Sequence, residues 1–256
     1  MAPRSSRRIH FLDEVRGFAV LCMVFYHAFF SMAMLFDIPA GSALLQFFRP
    51  AEPYFAGLFI GISGIAAMLT RSNLKRGLKL LFVALAFNVV TYLLEYVGMH
   101  IRIRFGILNL LAICMVLAAP LARVIKRVPP LVTVAVSVAL FVLTCHITDG
   151  WIGFRSLRYE LPQSLQSLDF LFPLGIPGPG FYSADYFPLL PWMFAFFAGM
   201  GLGVWAQRGK FPAFMYNQHI RPLSFVGRHS LVIYVLHQPV IYAFFLLVEQ
   251  LVHLLP

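Results

Sequence analysis

Apolar residues run along this chain in long unbroken stretches, and the polar residues gather between them rather than recurring every second or every third to fourth position. Seven stretches, 17–36, 53–70, 80–97, 105–122, 130–147, 187–207 and 231–251, have the length an α-helix needs to cross a hydrocarbon core of about 30 Å at about 1.5 Å per residue. The expectation is an all-α integral membrane protein, a bundle of about seven transmembrane helices forming a single domain over residues 1–256.

Composition agrees with the pattern. Of the residues, 60% are hydrophobic and only 12% charged, and the mean hydropathy is +0.81. A soluble chain of this size has too little interior to hide so much apolar side chain. Cys22, Cys114 and Cys145 all lie in apolar runs with no C-x-x-C pair, so neither a disulfide scaffold nor a metal site is expected.

The net charge of +10 changes the picture only through its placement. With the amino terminus cytoplasmic, the inner side carries Arg4, Arg7, Arg8, Arg16, Arg71, Lys75, Arg76, Lys79, Arg123, Lys126, Arg127, Arg208, Lys210, Arg221 and Arg228. The outer side carries Arg49, Arg102, Arg104, Arg155 and Arg158, five against fifteen. The positive-inside rule then sets the amino terminus inside and the carboxyl terminus outside. Topology accounts for the basic excess without a nucleic-acid partner. Asp13, Glu14 and Arg16 abut the first apolar stretch, and no small-x-small site follows it promptly, so that stretch is expected to stay as an anchor. The connection 148–186 is long, rich in glycine, proline and aromatics, and is expected to be an ordered outer loop.

An ionisable or amide group deep in a span needs a partner, a cavity or a task. His27 lies eleven residues after Arg16, His237 nine after Arg228, Asn88 nine after Lys79, and Ser63 eight before Arg71. At about 1.5 Å per residue all four fall near the midplane. They are either satisfied packing residues or one polar belt. Gly57, Gly61 and Gly64, and Gly199, Gly201 and Gly203, mark close helix approach. At the outer mouth Asp185 is either a helix cap or a carboxylate facing a substrate, with Arg104 as a candidate countercharge. Two histidines at one depth also fit axial haem ligands in a membrane cytochrome, and a polar belt without chemistry fits a glycan or lipid transporter.

Four stretches carry a family resemblance. They are Leu12-Asp13-Glu14-Val15-Arg16-Gly17-Phe18-Ala19 with Met23 and His27; Ile103-Arg104-Phe105-Gly106-Ile107-Leu108; Ser183-Ala184-Asp185-Tyr186-Phe187-Pro188-Leu189-Leu190-Pro191-Trp192; and Gly227-Arg228-His229-Ser230-Leu231 with Ile233-Tyr234 and Leu236-His237-Gln238-Pro239. In this order they resemble the bacterial membrane domain family that includes the catalytic domain of heparan-alpha-glucosaminide N-acetyltransferase. Arg16 and His27, ten residues apart between them, also resemble the signature of membrane acyltransferases that modify surface glycans. At Asn109 such sequences commonly carry histidine, and the amide removes a titratable group.

The resemblance implies an acyltransferase of the bacterial cytoplasmic membrane that takes an acetyl or other short acyl group from cytoplasmic acetyl-CoA, as donor substrate, to an outer amino sugar or glycan. In that scheme His27, Asp185 and His237 are catalytic. Arg16, Arg71, Lys75 and Arg76 hold the phosphates of coenzyme A, with Ser63 and Asn88 further along, because guanidinium and ammonium groups suit phosphate. Asn109, Arg104 and Trp192 meet the acceptor. A homodimer is compatible with it.

Overall fold

The computed structural model describes residues 8–99 and 101–254. Arg4 and Arg7, two of the charges used to orient the chain, lie outside the described residues. Helices α1 (His10–Met34), α2 (Pro39–Phe48), α3 (Glu52–Leu69), α4 (Asn73–Tyr96), α5 (Ile107–Ile125) and α6 (Pro130–Thr144) come first. A hairpin of β1 (Trp151–Phe154) and β2 (Leu157–Glu160) and a single turn, α7 (Gln163–Gln166), follow. Helices α8 (Leu189–Gln207), α9 (Arg221–Arg228) and α10 (Ser230–Leu254) complete the chain.

Among the described residues, seven helical segments are long and apolar enough to cross a membrane, as the apolar pattern predicts. Large apolar side chains such as Phe82 and Leu131 stand on their outer faces, where only lipid accepts them. The protein is a multi-pass membrane protein. Two boundaries differ from the sequence reading for physical reasons. The second segment begins at Pro39 rather than near Pro53, because α2 and a 3-10 turn at Arg49–Ala51 lead into α3. Pro39 and Pro50 sit at first-turn positions, where a missing N–H costs nothing. Helix α4 begins at Asn73, so Lys75, Arg76 and Lys79 belong to its first two turns; lysine and arginine are good helix formers that a hydropathy pattern places outside.

The connection after α6 contains strands that the apolar pattern does not predict. Trp151 pairs with Glu160 and Phe154 with Leu157. At Gly153, φ is +129°, and a Cβ there would strike the Leu157 carbonyl, so glycine alone permits this register. His146 stacks on Trp151 with 4.1 Å between centroids, and the Arg158 guanidinium lies 4.7 Å from the same ring.

The chain forms two compact units: residues up to Phe59 together with those from Phe211 on, and Ile60–Lys210. In the first, α1 and α9 pack backbone to backbone. A Cβ on Gly17 would strike the Leu223 carbonyl, and one on Gly227 would strike the Asp13 carbonyl. Glu14, buried at 4% exposure, secures the crossing. Its Oε1 accepts from the backbone N–H groups of His219 (2.6 Å) and Ile220 (2.9 Å), which would otherwise be orphan donors at the start of α9. Helix α2 folds back on α1 with Gly41 against Met32 and Ala33, and Phe36 of the α1–α2 connection meets Tyr242 and Phe245 of α10.

In the second unit α8 is the central helix, with Phe196 and Met200 fully buried. Its glycines divide their contacts. Gly199 faces the Gly61 carbonyl and Gly203 faces Met68, both of α3, whereas Gly201 faces Pro130 and Thr133 of α6. Gly64 of α3 returns the contact at the Phe196 carbonyl. Close approach of this kind replaces the hydrophobic drive that lipid does not supply. The Gln207 amide donates to the Met68 carbonyl (2.9 Å), fastening the ends of α3 and α8.

Candidate active site

Equal depth in the sequence becomes contact in the structure for one pair. His27 of α1 and His237 of α10 lie in the first unit with ring centroids 4.9 Å apart. Tyr26 packs edge-on against His27 (5.6 Å), and Tyr234 lies 5.5 Å from His237. His237 is buried at 7% exposure. Its Nδ1 donates to the Tyr234 carbonyl one turn earlier (2.6 Å), and its Nε2 is buried without a hydrogen-bond partner among the described residues. Two imidazoles this close can take and pass a proton.

At the basic end of α1, Arg16 donates to Asp13 Oδ1 (3.3 Å), and Arg8 donates to Asp13 Oδ2 (2.7 Å). The Arg16 side chain is only 18% exposed. It is therefore held in place by a carboxylate, in contrast to Arg71, Lys75 and Arg76, which are exposed where α3 turns into α4. Arg76 donates to the Thr70 hydroxyl. The Asn73 amide donates to the Ala67 carbonyl (2.9 Å), closing the end of α3. Ser63 is buried in α3.

The remaining predicted residues gather at the opposite end of the second unit, and most serve one another. Segments 101–106 and 183–187 run side by side. Ala184 N–H donates to the Arg102 carbonyl (2.9 Å), Phe187 N–H to the Phe105 carbonyl (3.2 Å), and Arg104 N–H to the Ser183 hydroxyl (3.1 Å). Asp185 Oδ2 accepts from Ile107 N–H (3.2 Å), the first residue of α5. This contact sets the carboxylate at the start of α5 rather than of the adjacent α8. Gly106 makes room for it, since a Cβ there would meet the Asp185 carboxylate. Asn109 Oδ1 accepts from Gly106 N–H (3.1 Å), reaching back from the third residue of α5 to the residue that precedes the helix. Asn88 donates to the Arg104 carbonyl (3.2 Å), and Thr91 Oγ1 accepts from Ile103 N–H (3.2 Å).

Arg104 itself lies with its guanidinium carbon 5.4 Å from the Phe181 ring centre, and its Nε has no hydrogen-bond partner among the described residues. Phe181 stacks with Phe172 and lies tilted against Tyr186. Burial pushes the Tyr186 phenol above its usual range, so it stays a neutral donor to the Phe172 carbonyl (2.7 Å). Trp192 packs edge-on against Phe141 and Phe187.

Residues 8–239 match the family model described as heparan-alpha-glucosaminide N-acetyltransferase, catalytic. The chain belongs to this family. The match covers most of the chain and all four stretches that carried the resemblance, and it supports a membrane acyltransferase activity over a haem protein or a transporter. Neither a curated protein nor a solved structure matches the chain.

Sequence reasoning missed the roles of Asp13, Glu14, Thr91 and Ser183. Two of the arrangements were readable: Asp13 and Arg16 stand at i and i+3, the spacing of a helical ion pair, and Asn109 stands three residues after Gly106, the spacing at which a side chain in the first turn reaches back to the N–H before the helix. Glu14 to His219 and Arg104 to Ser183 join residues far apart in the chain, and no local pattern signals them.

Proposed function

We propose that this family member transfers an acetyl or other short acyl group from acyl-CoA to an amino sugar, or to a hydroxyl or amine of a glycan. In this reading the amino terminus is cytoplasmic, the carboxyl terminus is outside, and the acyl group moves outward across a bacterial cytoplasmic membrane. The observation that carries it is the His27–His237 pair, 4.9 Å between rings, inside a chain of an acetyltransferase family.

His27 takes the proton from the acceptor nitrogen or oxygen as that atom attacks the thioester carbonyl. The C–S bond then breaks, and the coenzyme A thiolate leaves with a proton from the imidazolium. A positioned base of this kind contributes on the order of 10² to 10⁴ in rate. Arg71, Lys75 and Arg76, exposed and close in sequence, bind the donor's phosphates by charge and hydrogen bonding. Arg16 is engaged by Asp13 and contributes less to the donor than its exposed neighbours. Arg104 and Trp192 belong to the acceptor side.

The test is transfer from acetyl-CoA to glucosamine by protein in nanodiscs, read by mass spectrometry of the acceptor. Acetylated product should form with the native chain and not with His27→Ala. Product formed at the native rate by His27→Ala, or no consumption of acetyl-CoA with amine and hydroxyl acceptors alike, overturns the reading.

A further inference from the structure

The hydrogen bonding of His237 fixes more than its position. A carbonyl oxygen can only accept, so the 2.6 Å contact to Tyr234 requires the proton of the neutral ring to be on Nδ1. Nε2 then carries a lone pair. That lone pair is buried and has no donor among the described residues, in a residue only 7% exposed. A buried acceptor left unsatisfied is unfavourable, and such groups in native proteins call for an explanation. The ring whose centroid lies 4.9 Å away is His27.

We propose that His237 is the second member of a two-histidine base, its Nε2 receiving the N–H of His27 when His27 becomes charged during acyl transfer. The proposal rests on the reading of His27 as the base. No hydrogen bond between the rings is required beforehand, since catalytic hydrogen bonds tighten on forming the reactive complex. As the acceptor's proton arrives on one nitrogen of His27, the proton on the other nitrogen moves toward His237 Nε2, so the positive charge is shared by two rings. When the C–S bond breaks, the proton returns through His27 to the coenzyme A thiolate, and both rings are neutral again. The Tyr234 carbonyl holds His237 Nδ1–H throughout, in the way a carbonyl or carboxylate orients other working histidines. His237 touches no substrate in this scheme; it is a positioning residue that acts through His27.

The experiment uses the full chain in nanodiscs, with acetyl-CoA and glucosamine as probes. His237→Ala should lower the turnover number about 10²-fold while the KM for acetyl-CoA stays within threefold, and His237→Asn, which fills most of the volume but takes no proton, should be as slow. Added imidazoles should restore turnover to His237→Ala in proportion to their basicity. Native turnover in either variant, or rescue that follows the size of the added ring rather than its basicity, overturns the proposal. Loss of turnover without rescue by any imidazole also overturns it, because it assigns His237 to packing. A chain in which His27→Ala remains active removes the base reading instead, and that result is distinguishable because it does not involve position 237.

Discussion

Two clusters of polar side chains in this largely apolar protein differ in what their hydrogen bonds leave open. Where segments 101–106 and 183–187 meet, Asp185, Asn109, Ser183, Thr91 and Asn88 each pair with a backbone group. The His27–His237 pair leaves a lone pair open at His237 Nε2. Side chains bonded to backbone hold a fold together. A buried lone pair left open costs stability and keeps a valence for chemistry. The contrast separates residues that sequence alone groups together, since Asp185 and His27 sit in equally recognisable motifs.

The largest expected effect tests the open side of that contrast. His27→Ala should reduce acyl transfer by about 10²- to 10⁴-fold with little change in thermal unfolding, measured on the same nanodisc sample. Next, Asp185→Ala should do the reverse. Stripping a partner from the Ile107 N–H should cost about 1–3 kcal/mol, seen as a lower Tm, while turnover per folded molecule falls less than tenfold. A thousandfold loss of turnover in fully folded Asp185→Ala would break the comparison by placing this carboxylate in the chemistry. Smaller still, Asn109→Leu removes the acceptor for the Gly106 N–H and should cost about 1 kcal/mol, whereas Asn109→Asp keeps the acceptor and should be nearly neutral. The smallest effect concerns donor affinity. Neutralising Arg71 and Lys75 together should weaken acetyl-CoA several-fold at low salt and progressively less as salt rises, because exposed charges are screened over about 8–10 Å. Calorimetry against a short thioester lacking the nucleotide checks this, since that donor should lose no affinity.

Much of the fold was legible because lipid imposes a simple rule on sequence. Long apolar runs became helices, and the spacing of His27 from Arg16 and of His237 from Arg228 put the two rings at one level. The hairpin at Trp151–Glu160 was not legible, since its strands are short and lie in a proline- and glycine-rich connection. Within the site, depth located the histidines but could not reveal bonding. Asn88 was counted with the polar belt by its distance from Lys79, yet its amide is engaged by the Arg104 carbonyl. Likewise Asn109 stands where related sequences commonly carry histidine, and the pattern gives no sign that its side chain accepts the Gly106 N–H. A periodic pattern reports height along a helix, whereas partners are set by rotation and by tertiary contacts that one sequence does not encode locally.

The glycine contact between α1 and α9 makes rotation a fixed quantity. With Gly17 against the Leu223 carbonyl and Gly227 against the Asp13 carbonyl, α1 cannot turn about its own axis without driving backbone into backbone. Gly17 is therefore a zero mark, and the ten steps from it to His27 set the angular phase at which the imidazole leaves the helix. Each residue advances that phase by about 100°. One alanine inserted after Met23 would swing His27 to a different face, although every residue of both motifs would still be present. Inserting four would nearly restore the angle but lift the ring by about 6 Å. The interval between arginine and histidine thus acts as a gauge, and its length carries as much information as the residues at its ends.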